Sequence, residues 1–221
     1  MHRGGGEHER DRYTRRQNAR HGHTILKSMS HDDPIARFAA LFERAGADAP
    51  FDHTAMSLGT CDAHGQPAVR IVLLHGFDAR GFTFYTNYES RKGRDIAANA
   101  RAALTFYWPW LNEQVRAEGT LARLGPEESD AYFATRERGR QLGAWASAQS
   151  RPIASREALM DQVAEAEARF AGRDVPRPPH WGGFRLTPAR IEFWKDGAFR
   201  LHDRFLYVLE RDAWSVTRLS P

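Results

Sequence analysis

The chain has 221 residues, which is enough to bury a sizeable core without disulfides or metals. Hydrophobic residues make up 41% and charged residues 27%, which excludes wholesale disorder and fibrous repeats. The net charge of +4 is carried by residues 1–31, which hold seven Lys/Arg and three acidic residues, whereas residues 32–221 hold 25 of each. This distribution argues against a nucleic-acid-binding surface on the main body. The single cysteine, Cys61, and the lack of a long apolar run predict a cytoplasmic protein without a thiolate metal site, membrane span or secretory signal.

The N-terminal third opens with two contrasting segments. Residues 1–31 are polar and rich in Gly, His and Arg, and they predict a flexible basic arm preceding one domain over 32–221. Asp32-Asp33-Pro34 is a helix-start signal, and the apolar residues after it have helical spacing. We therefore predict a helix to about Ala45, stopped by Gly46.

The rest of the chain alternates between strand and helix patterns. Period-two runs separated by turn residues predict strands over Ala55–Cys61, Val69–His75, Phe82–Thr86, Ala102–Trp108 and Gln114–Leu124. Helical patterns cover Ser90–Asn99, a segment opening at Pro126, and a segment capped by Ser155 that runs to about Phe170. Further strands are predicted over Gly183–Leu186, Ile191–Trp194, Arg200–Leu209 and Trp214–Leu219. Seven or eight strands with three or four helices predict an α+β protein built on an antiparallel sheet or barrel.

A first cationic cluster lies where a strand pattern meets a helix start. Arg70 lies in one strand, and Ser90, Arg91 and Lys92 open a helix soon after Tyr85-Thr86-Asn87. Free backbone N–H groups and the positive end of the helix dipole favour an anion at such a position, which indicates a phosphate site. A solvated first helical turn explains the same residues.

A second cluster combines a phenol with arginines. We predict that Tyr132, Arg136 and Arg140 lie on a helix, where they fall at i, i+4 and i+8 and can converge on one patch. Guanidinium groups bind phosphate in a bidentate manner, so the patch suits a second phosphate. The alternative is a surface helix whose arginines pair with neighbouring glutamates.

A third cluster follows the turn at Lys195-Asp196-Gly197. The predicted strand Arg200–Leu209 places Arg200, His202 and Arg204 on one face of the sheet, with Leu201 and Asp203 on the other. Three basic groups on one face favour an anionic ligand above them, although a solvent-facing edge is also consistent. Because the chain lacks a Gly-x-Ser-x-Gly elbow, a His-Glu-x-x-His helix and a nicotinamide-binding pattern, hydrolase, metalloenzyme and Rossmann dehydrogenase functions are disfavoured.

Several motifs together resemble the pyridoxamine/pyridoxine 5′-phosphate oxidase family. The resemblance runs from about Asp33 to Pro221 and rests on the segments Arg70-Ile-Val-Leu-Leu, Phe84-Tyr-Thr-Asn87, Ser90-Arg-Lys92, Gln141-Leu-Gly-Ala-Trp-Ala-Ser147, Gln149-Ser150, Trp181-Gly-Gly-Phe-Arg185, Ile191-Glu-Phe-Trp194 and Arg200-Leu-His-Asp-Arg204. It implies an antiparallel split β-barrel with flanking helices, a homodimer and FMN held between subunits. It also implies hydride transfer from C4′ of the phosphorylated vitamer to flavin N5, with dioxygen reduced to hydrogen peroxide and pyridoxal 5′-phosphate as product.

The resemblance also implies roles for individual residues. The implied FMN contacts are Arg70, Ile71, Val72, Leu73, Tyr85, Thr86, Arg91, Lys92, Gln114, Gln149, Ser150, Trp194 and Arg204. The implied substrate-phosphate contacts are Tyr132 and Arg136, while Arg200 and His202 would act at the pyridine ring as the catalytic pair.

Two departures from the family pattern fall in the implied substrate-phosphate pocket. His75 stands where the family usually has lysine, and Arg140 stands where it usually has a small serine. The added arginine can replace the lost lysine charge, so both residues are predicted substrate contacts. Alternatively, the pocket serves a flavin oxidase of another aromatic substrate from secondary metabolism. A non-catalytic flavin or pyridoxal-phosphate carrier is a third hypothesis, which the presence of Arg200 and His202 disfavours.

Overall fold

A computed structural model describes residues 33–221, and the predicted arm over 1–31 lies outside the described residues. In this part of the chain the α-helices are α1 (Pro34–Ala47), α2 (Arg91–Ala98), α3 (Pro126–Thr135), α4 (Arg138–Ala146) and α5 (Arg156–Arg169). The strands are β1 (Ala55–Cys61), β2 (Pro67–Leu73), β3 (Gly76–Asp78), β4 (Gly81–Asn87), β5 (Arg101–Trp108), β6 (Glu113–Arg123), β7 (Trp181–Lys195), β8 (Asp203–Glu210) and β9 (Ala213–Leu219). None of these helices is long and apolar enough to cross a bilayer.

All nine strands belong to one antiparallel sheet. Its main path is β2-β1-β5-β6-β7-β4-β3, and β8 and β9 extend outward from β7. The sheet curls into a half-barrel. Where the chain leaves β2, the His75 N–H donates to the Thr83 carbonyl of β4 over 2.8 Å, which brings two distant parts of the path together. The predicted α+β class with a barrel-like antiparallel sheet is confirmed.

The core lies inside this curl and is closed by α1. Phe38 of α1 is fully buried and its ring contacts Phe77, Phe82 and Phe106 at centroid distances of 4.8, 4.9 and 5.0 Å. Such edge-on and tilted aromatic contacts add to the stabilisation that area burial provides. A second apolar cluster, which includes Phe133, Phe170 and Trp181, joins α3, α4 and α5 to the start of β7.

Two predictions of element limits were wrong, one for the end of α1 and one for the number of strands over 183–194. Helix α1 continues through Gly46 to Ala47. A Cβ on Gly46 would lie 2.8 Å from Nε2 of His53, so the glycine at this helical position leaves room for the His53 ring. The two strands predicted over 183–194 are one strand, β7, whose register with β6 shifts between Glu118 and Gly119. The bulge lets a long strand bend around the barrel without ending.

Two further corrections bear on the predicted clusters. Helix α3 ends at Thr135 and Arg136 is extended (φ −74°, ψ 146°), so Tyr132, Arg136 and Arg140 do not share one helix. Residues 200–202 are not in a strand either, because Phe199 and Arg200 adopt positive φ angles of 58° and 64° in a short 3₁₀ turn and β8 begins only at Asp203. The predicted alternation of Arg200, His202 and Arg204 on one sheet face is therefore wrong.

Candidate active site

The first predicted cluster forms a compact group, which we call the anion corner: Arg70, Thr86, Arg91, Lys92 and Gln149. The Lys92 ammonium donates to three neutral oxygens, Oε1 of Gln149 at 2.7 Å, Oγ1 of Thr86 at 3.1 Å and Oγ of Ser90 at 3.2 Å. Burial, with a further contribution from Arg70, lowers the pKa of Lys92 to about 8. A cation whose charge is disfavoured by its surroundings is suited to an anionic ligand.

The fold fixes Arg70 in this corner. Its Nη1 donates to Oγ1 of Thr60 at 2.6 Å, and its Nη2 lies 3.5 Å from the buried Asp95 carboxylate of α2. Ser90 caps α2 by accepting from the Gly93 N–H. A Cβ on Gly93 would lie 2.0 Å from the Tyr88 carbonyl oxygen, so a glycine is required for the helix start to pack this closely. The helix N-terminus and two flanking cations are thus held together by local packing.

The second cluster forms an aromatic pocket, composed of His75, Tyr85, Tyr132, Arg136 and Trp181. The His75 ring lies 3.9 Å from that of Tyr132, and Tyr85 lies 4.2 Å from Tyr132 and 5.3 Å from Trp181. The Arg136 guanidinium lies over the Trp181 ring at 4.7 Å. Tertiary packing therefore brings both His75, which follows β2, and Arg136, which follows α3, close to the Tyr132 side chain.

The electrostatics of this pocket favour an incoming anion. Nη1 of Arg136 is buried without a hydrogen-bond partner among the described residues, and burial lowers the pKa of this guanidinium. Burial also lowers the pKa of His75, against an opposing contribution from Glu128. Burial, aided by Glu128 and Tyr132, raises the pKa of Tyr85 to about 12 and keeps its phenol protonated. Because an unsatisfied buried donor is costly, Arg136 is poised for an acceptor that the protein itself does not provide.

The predicted contact Arg140 lies at the edge of this arrangement. It is largely exposed and its Nε lies 3.3 Å from Oε2 of Glu137, one helical turn away. It still acts on Arg136, since its positive charge contributes to the lowered pKa of Arg136. The neighbouring Arg138 instead binds the protein backbone, because its guanidinium donates to the carbonyl oxygens of Phe170 and Arg173 at 2.8 and 2.9 Å.

Apart from Val72, the remaining predicted residues lie on the outward face of the sheet, opposite the core, or in exposed turns. Gln114 and Trp194 are directly opposed on β6 and β7, Trp194 is opposite Arg204 on β8, and the His202 ring lies 4.7 Å from Trp194. Nδ1 of His202 lies 3.0 Å from Oδ1 of Asp196, whereas Arg200 is exposed in the 3₁₀ turn. Ile71 and Leu73 are exposed, Val72 packs toward the core, and Ser150 follows Gln149 in a turn with φ of 68°.

Two residues contact the predicted site residues but were not themselves predicted from the sequence as site residues. Trp181 forms the floor under Arg136, and the buried Glu192 accepts from Arg204 at 2.8 Å. Both lie in motifs that carried the resemblance. A signal was available for Glu192, because an acidic residue between Ile191 and Phe193 interrupts an otherwise apolar strand.

Comparison with known families matches most of the chain to one family. A profile described as "Pyridoxamine 5'-phosphate oxidase" matches residues 43–170, and one described as "Pyridoxine 5'-phosphate oxidase C-terminal dimerisation region" matches residues 181–221. The chain belongs to the pyridoxamine 5′-phosphate oxidase family. The two matched ranges divide the site, because the first contains the anion corner and most of the aromatic pocket and the second contains Trp181, Trp194 and Arg204.

Individual relatives agree with this assignment. The pyridoxine/pyridoxamine 5′-phosphate oxidase of Myxococcus xanthus is 56% identical over 197 residues, covering 89% of this chain and 96% of that protein. The protein of the same name from Rubrobacter xylanophilus is 54% identical over 207 residues, covering 94% of each. Among solved structures, PhzG of Burkholderia lata in complex with tetrahydrophenazine-1-carboxylic acid superposes with a TM-score of 0.81 at 29% identity, covering 90% of this chain and 100% of that one.

Proposed function

We propose that this protein oxidises pyridoxamine 5′-phosphate, pyridoxine 5′-phosphate or both to pyridoxal 5′-phosphate, using FMN and reducing dioxygen to hydrogen peroxide. The observation that carries the proposal is the buried, unpartnered Nη1 of Arg136 beside Tyr132 and His75. A phosphate monoester supplies the acceptors that this guanidinium lacks. The 50–56% identity to proteins named for this activity supports the same substrate class.

FMN is proposed as the cofactor because the anion corner fits its phosphate. Lys92 lies among neutral oxygens with a lowered pKa, and Arg70 is held close by with Asp95 as its carboxylate partner. Lys92, Arg91 and Arg70 would hold the phosphate, while Gln114, Trp194 and Arg204 would contact other parts of the cofactor. When bound, FMN supplies the acceptor for a hydride from the substrate and passes the electrons to dioxygen.

A homodimer is proposed because the predicted FMN contacts are divided along the sheet of one chain. The strand of Arg70, β2, is separated from the strand of Gln114, β6, by β1 and β5, three steps of about 4.8 Å each. Ile71 and Leu73 of β2 are 63% and 53% exposed, and Leu201 in the matched dimerisation region is 69% exposed. Exposed apolar side chains of this kind are typical of an interface, and pairing of two chains would let each site draw on both.

The chain's own residues then have separate tasks. Arg136, Tyr132 and His75 bind the substrate phosphate, with Arg140 adding positive charge at the rim. Arg200 and His202 orient the pyridine ring, and Nδ1 of His202 is held between Oδ1 of Asp196 at 3.0 Å and the backbone N–H of Gly197 at 3.3 Å, which fixes the position of the imidazole. These tasks give orientation and charge, whereas the redox chemistry belongs to the cofactor. A cytoplasmic location stays a prediction from the sequence.

The test is anaerobic mixing of the FMN-loaded protein with pyridoxamine 5′-phosphate, followed by readmission of air. We expect rapid bleaching of the flavin, then peroxide and pyridoxal 5′-phosphate in equal amounts. Unphosphorylated pyridoxamine is the matched control, and it should bleach the flavin far more slowly because it leaves Arg136 unpartnered. A flavin that binds but stays oxidised with both phosphorylated vitamers would overturn the proposal and favour another aromatic substrate.

A further inference from the structure

Glu192 is a buried carboxylate on the outward face of the sheet. It alternates with the core residues Ile191 and Phe193 along β7, so its side chain points away from the core, yet it is only 5% exposed. It is covered by two guanidinium groups. Oε1 accepts from Nε of Arg204 at 2.8 Å, and Oε2 accepts from Nη2 of Arg116.

The sheet register places this carboxylate in the middle of one patch. Arg116 of β6 is directly opposite Glu192, and two residues further along β7 Trp194 is opposite both Gln114 and Arg204. Directly opposed residues of antiparallel strands share a face, as do residues i and i+2. We call this group the outer-face patch, composed of Gln114, Arg116, Glu192, Trp194 and Arg204.

The charges in the patch do not balance. One carboxylate faces two guanidinium groups, which leaves an excess of one positive charge. Burial would by itself raise the pKa of Glu192, but the hydrogen bonds from Arg204 and Arg116 more than offset it and the pKa is lowered. The carboxylate therefore stays ionised and keeps both arginines in place. Nε of Arg116 is buried with no hydrogen-bond partner in the described part of the chain, so the patch still has a donor to satisfy.

We infer that Glu192 is a positioning residue for FMN binding, which holds Arg204 and Arg116 side by side so that Arg204 faces the cofactor in a fixed orientation. The inference rests on the proposed function, which makes Gln114, Trp194 and Arg204 contacts of FMN. Without the carboxylate the two guanidinium groups repel each other, and the Arg204 side chain gains rotamers that do not face the ligand. Glu192 itself does not need to touch FMN for this role.

The decisive experiment is a double-mutant cycle between Glu192→Gln and Arg204→Ala, measured as the Kd for FMN of the full-length apoprotein by quenching of flavin fluorescence. We expect Glu192→Gln to raise the Kd at least tenfold in the wild-type background. In the Arg204→Ala background the same change should raise it less than twofold, because the residue through which Glu192 acts is already absent. Glu118→Gln is the matched control, since Glu118 lies on the same sheet face and pairs with Arg190, and its Kd should match that of the wild type.

A purely structural role gives a different pattern. It would lower the urea midpoint of the apoprotein equally in both backgrounds and leave the Kd for FMN of the folded protein within twofold of its parent. That result would overturn the inference. If Glu192→Gln does not fold, Glu192→Asp replaces it, because it keeps the charge while shortening the reach to Arg204, and the same cycle applies. Wild-type protein that fails to bind FMN would overturn the proposed function itself, which distinguishes the two failures.

Discussion

The aromatic pocket and the turn that carries Arg200 differ in how completely they are packed within a single chain. In the pocket, the centroids of neighbouring rings from β4, α3, β7 and the segment after β2 lie 3.9 to 6.0 Å apart, and Nη1 of Arg136 is buried. In the turn, Phe199 is 94% exposed, Leu201 is 69% exposed, and Arg200 has a positive φ. The comparison teaches that the proposed phosphate site is formed by packing within one chain, whereas the groups predicted to act at the pyridine ring lie on a surface that the proposed second chain would complete.

The largest expected effect is that of Arg136→Met, which tests the packed side of the comparison. Losing a charge-assisted contact to phosphate costs about 2–3 kcal/mol, which lowers kcat/KM for pyridoxamine 5′-phosphate roughly 30- to 150-fold. The free energy of unfolding should stay the same or rise, because the variant removes a buried donor that has no partner among the described residues. Steady-state peroxide production and urea unfolding measure the two quantities.

The control for this variant is Arg138→Met in the next helix. Arg138 donates to two backbone carbonyl oxygens, so its loss should reduce stability by about 1–2 kcal/mol and leave KM unchanged. Loss of stability in Arg136→Met without a change in KM would mean that Arg136 serves the fold and not the substrate.

The second prediction tests the exposed turn that carries Arg200. Arg200→Ala should lower kcat about 10- to 100-fold, because orienting contacts that strengthen in the transition state contribute on this scale. The Kd for FMN and the urea midpoint should be those of the wild type, since Arg200 is exposed in the turn. A fall in the urea midpoint of the apoprotein would show that the turn is structural and would remove the contrast between the two regions.

The third prediction concerns the pH dependence of FMN binding at the anion corner. Lys92 has a pKa of about 8 in the free protein, below its usual 10.5, so it loses its charge as the pH rises through 8. Binding of a phosphate dianion requires that charge, and the Kd for FMN should rise by up to about tenfold per pH unit above 8. Lys92→Arg stays charged over this range and should abolish the slope. An identical slope in Lys92→Arg would assign the titration to another group.

The smallest expected effect concerns His75. Its pKa lies below 6.5, so the imidazole is neutral at pH 7.5 and becomes a cation only as the pH falls below 6.5. The KM for pyridoxamine 5′-phosphate should therefore improve severalfold at low pH relative to His75→Lys, whose charge is constant. The ratio of the two proteins cancels the titration of the substrate phosphate itself, whose second pKa is about 6. A ratio that does not change between pH 5.5 and 8 would exclude His75 from the phosphate site.

Much of the site was predictable because its residues are held by local patterns. The N-cap at Ser90 places Arg91 and Lys92 at a helix start, and this follows from a few adjacent residues. The contact of His75 with Tyr132 was not predictable from spacing, since 57 residues separate them and the two rings meet where Tyr85 of β4 packs against both. The resemblance to the family supplied that pairing as an expectation, and the packing supplies its physical basis.

By itself, the sequence determined most of the strands, the starts of α1, α2, α3 and α5, and the residue types at the site, because period and capping depend on neighbours a few positions apart. It could not determine where α3 ends or where β8 begins. Arg136 leaves the helix at a point where its guanidinium lies over Trp181, and Arg200 takes a left-handed conformation in a turn that closes against Ala198. The first choice depends on a contact between distant segments and the second on the geometry of a turn that residue preferences do not specify, so only the tertiary structure decided them.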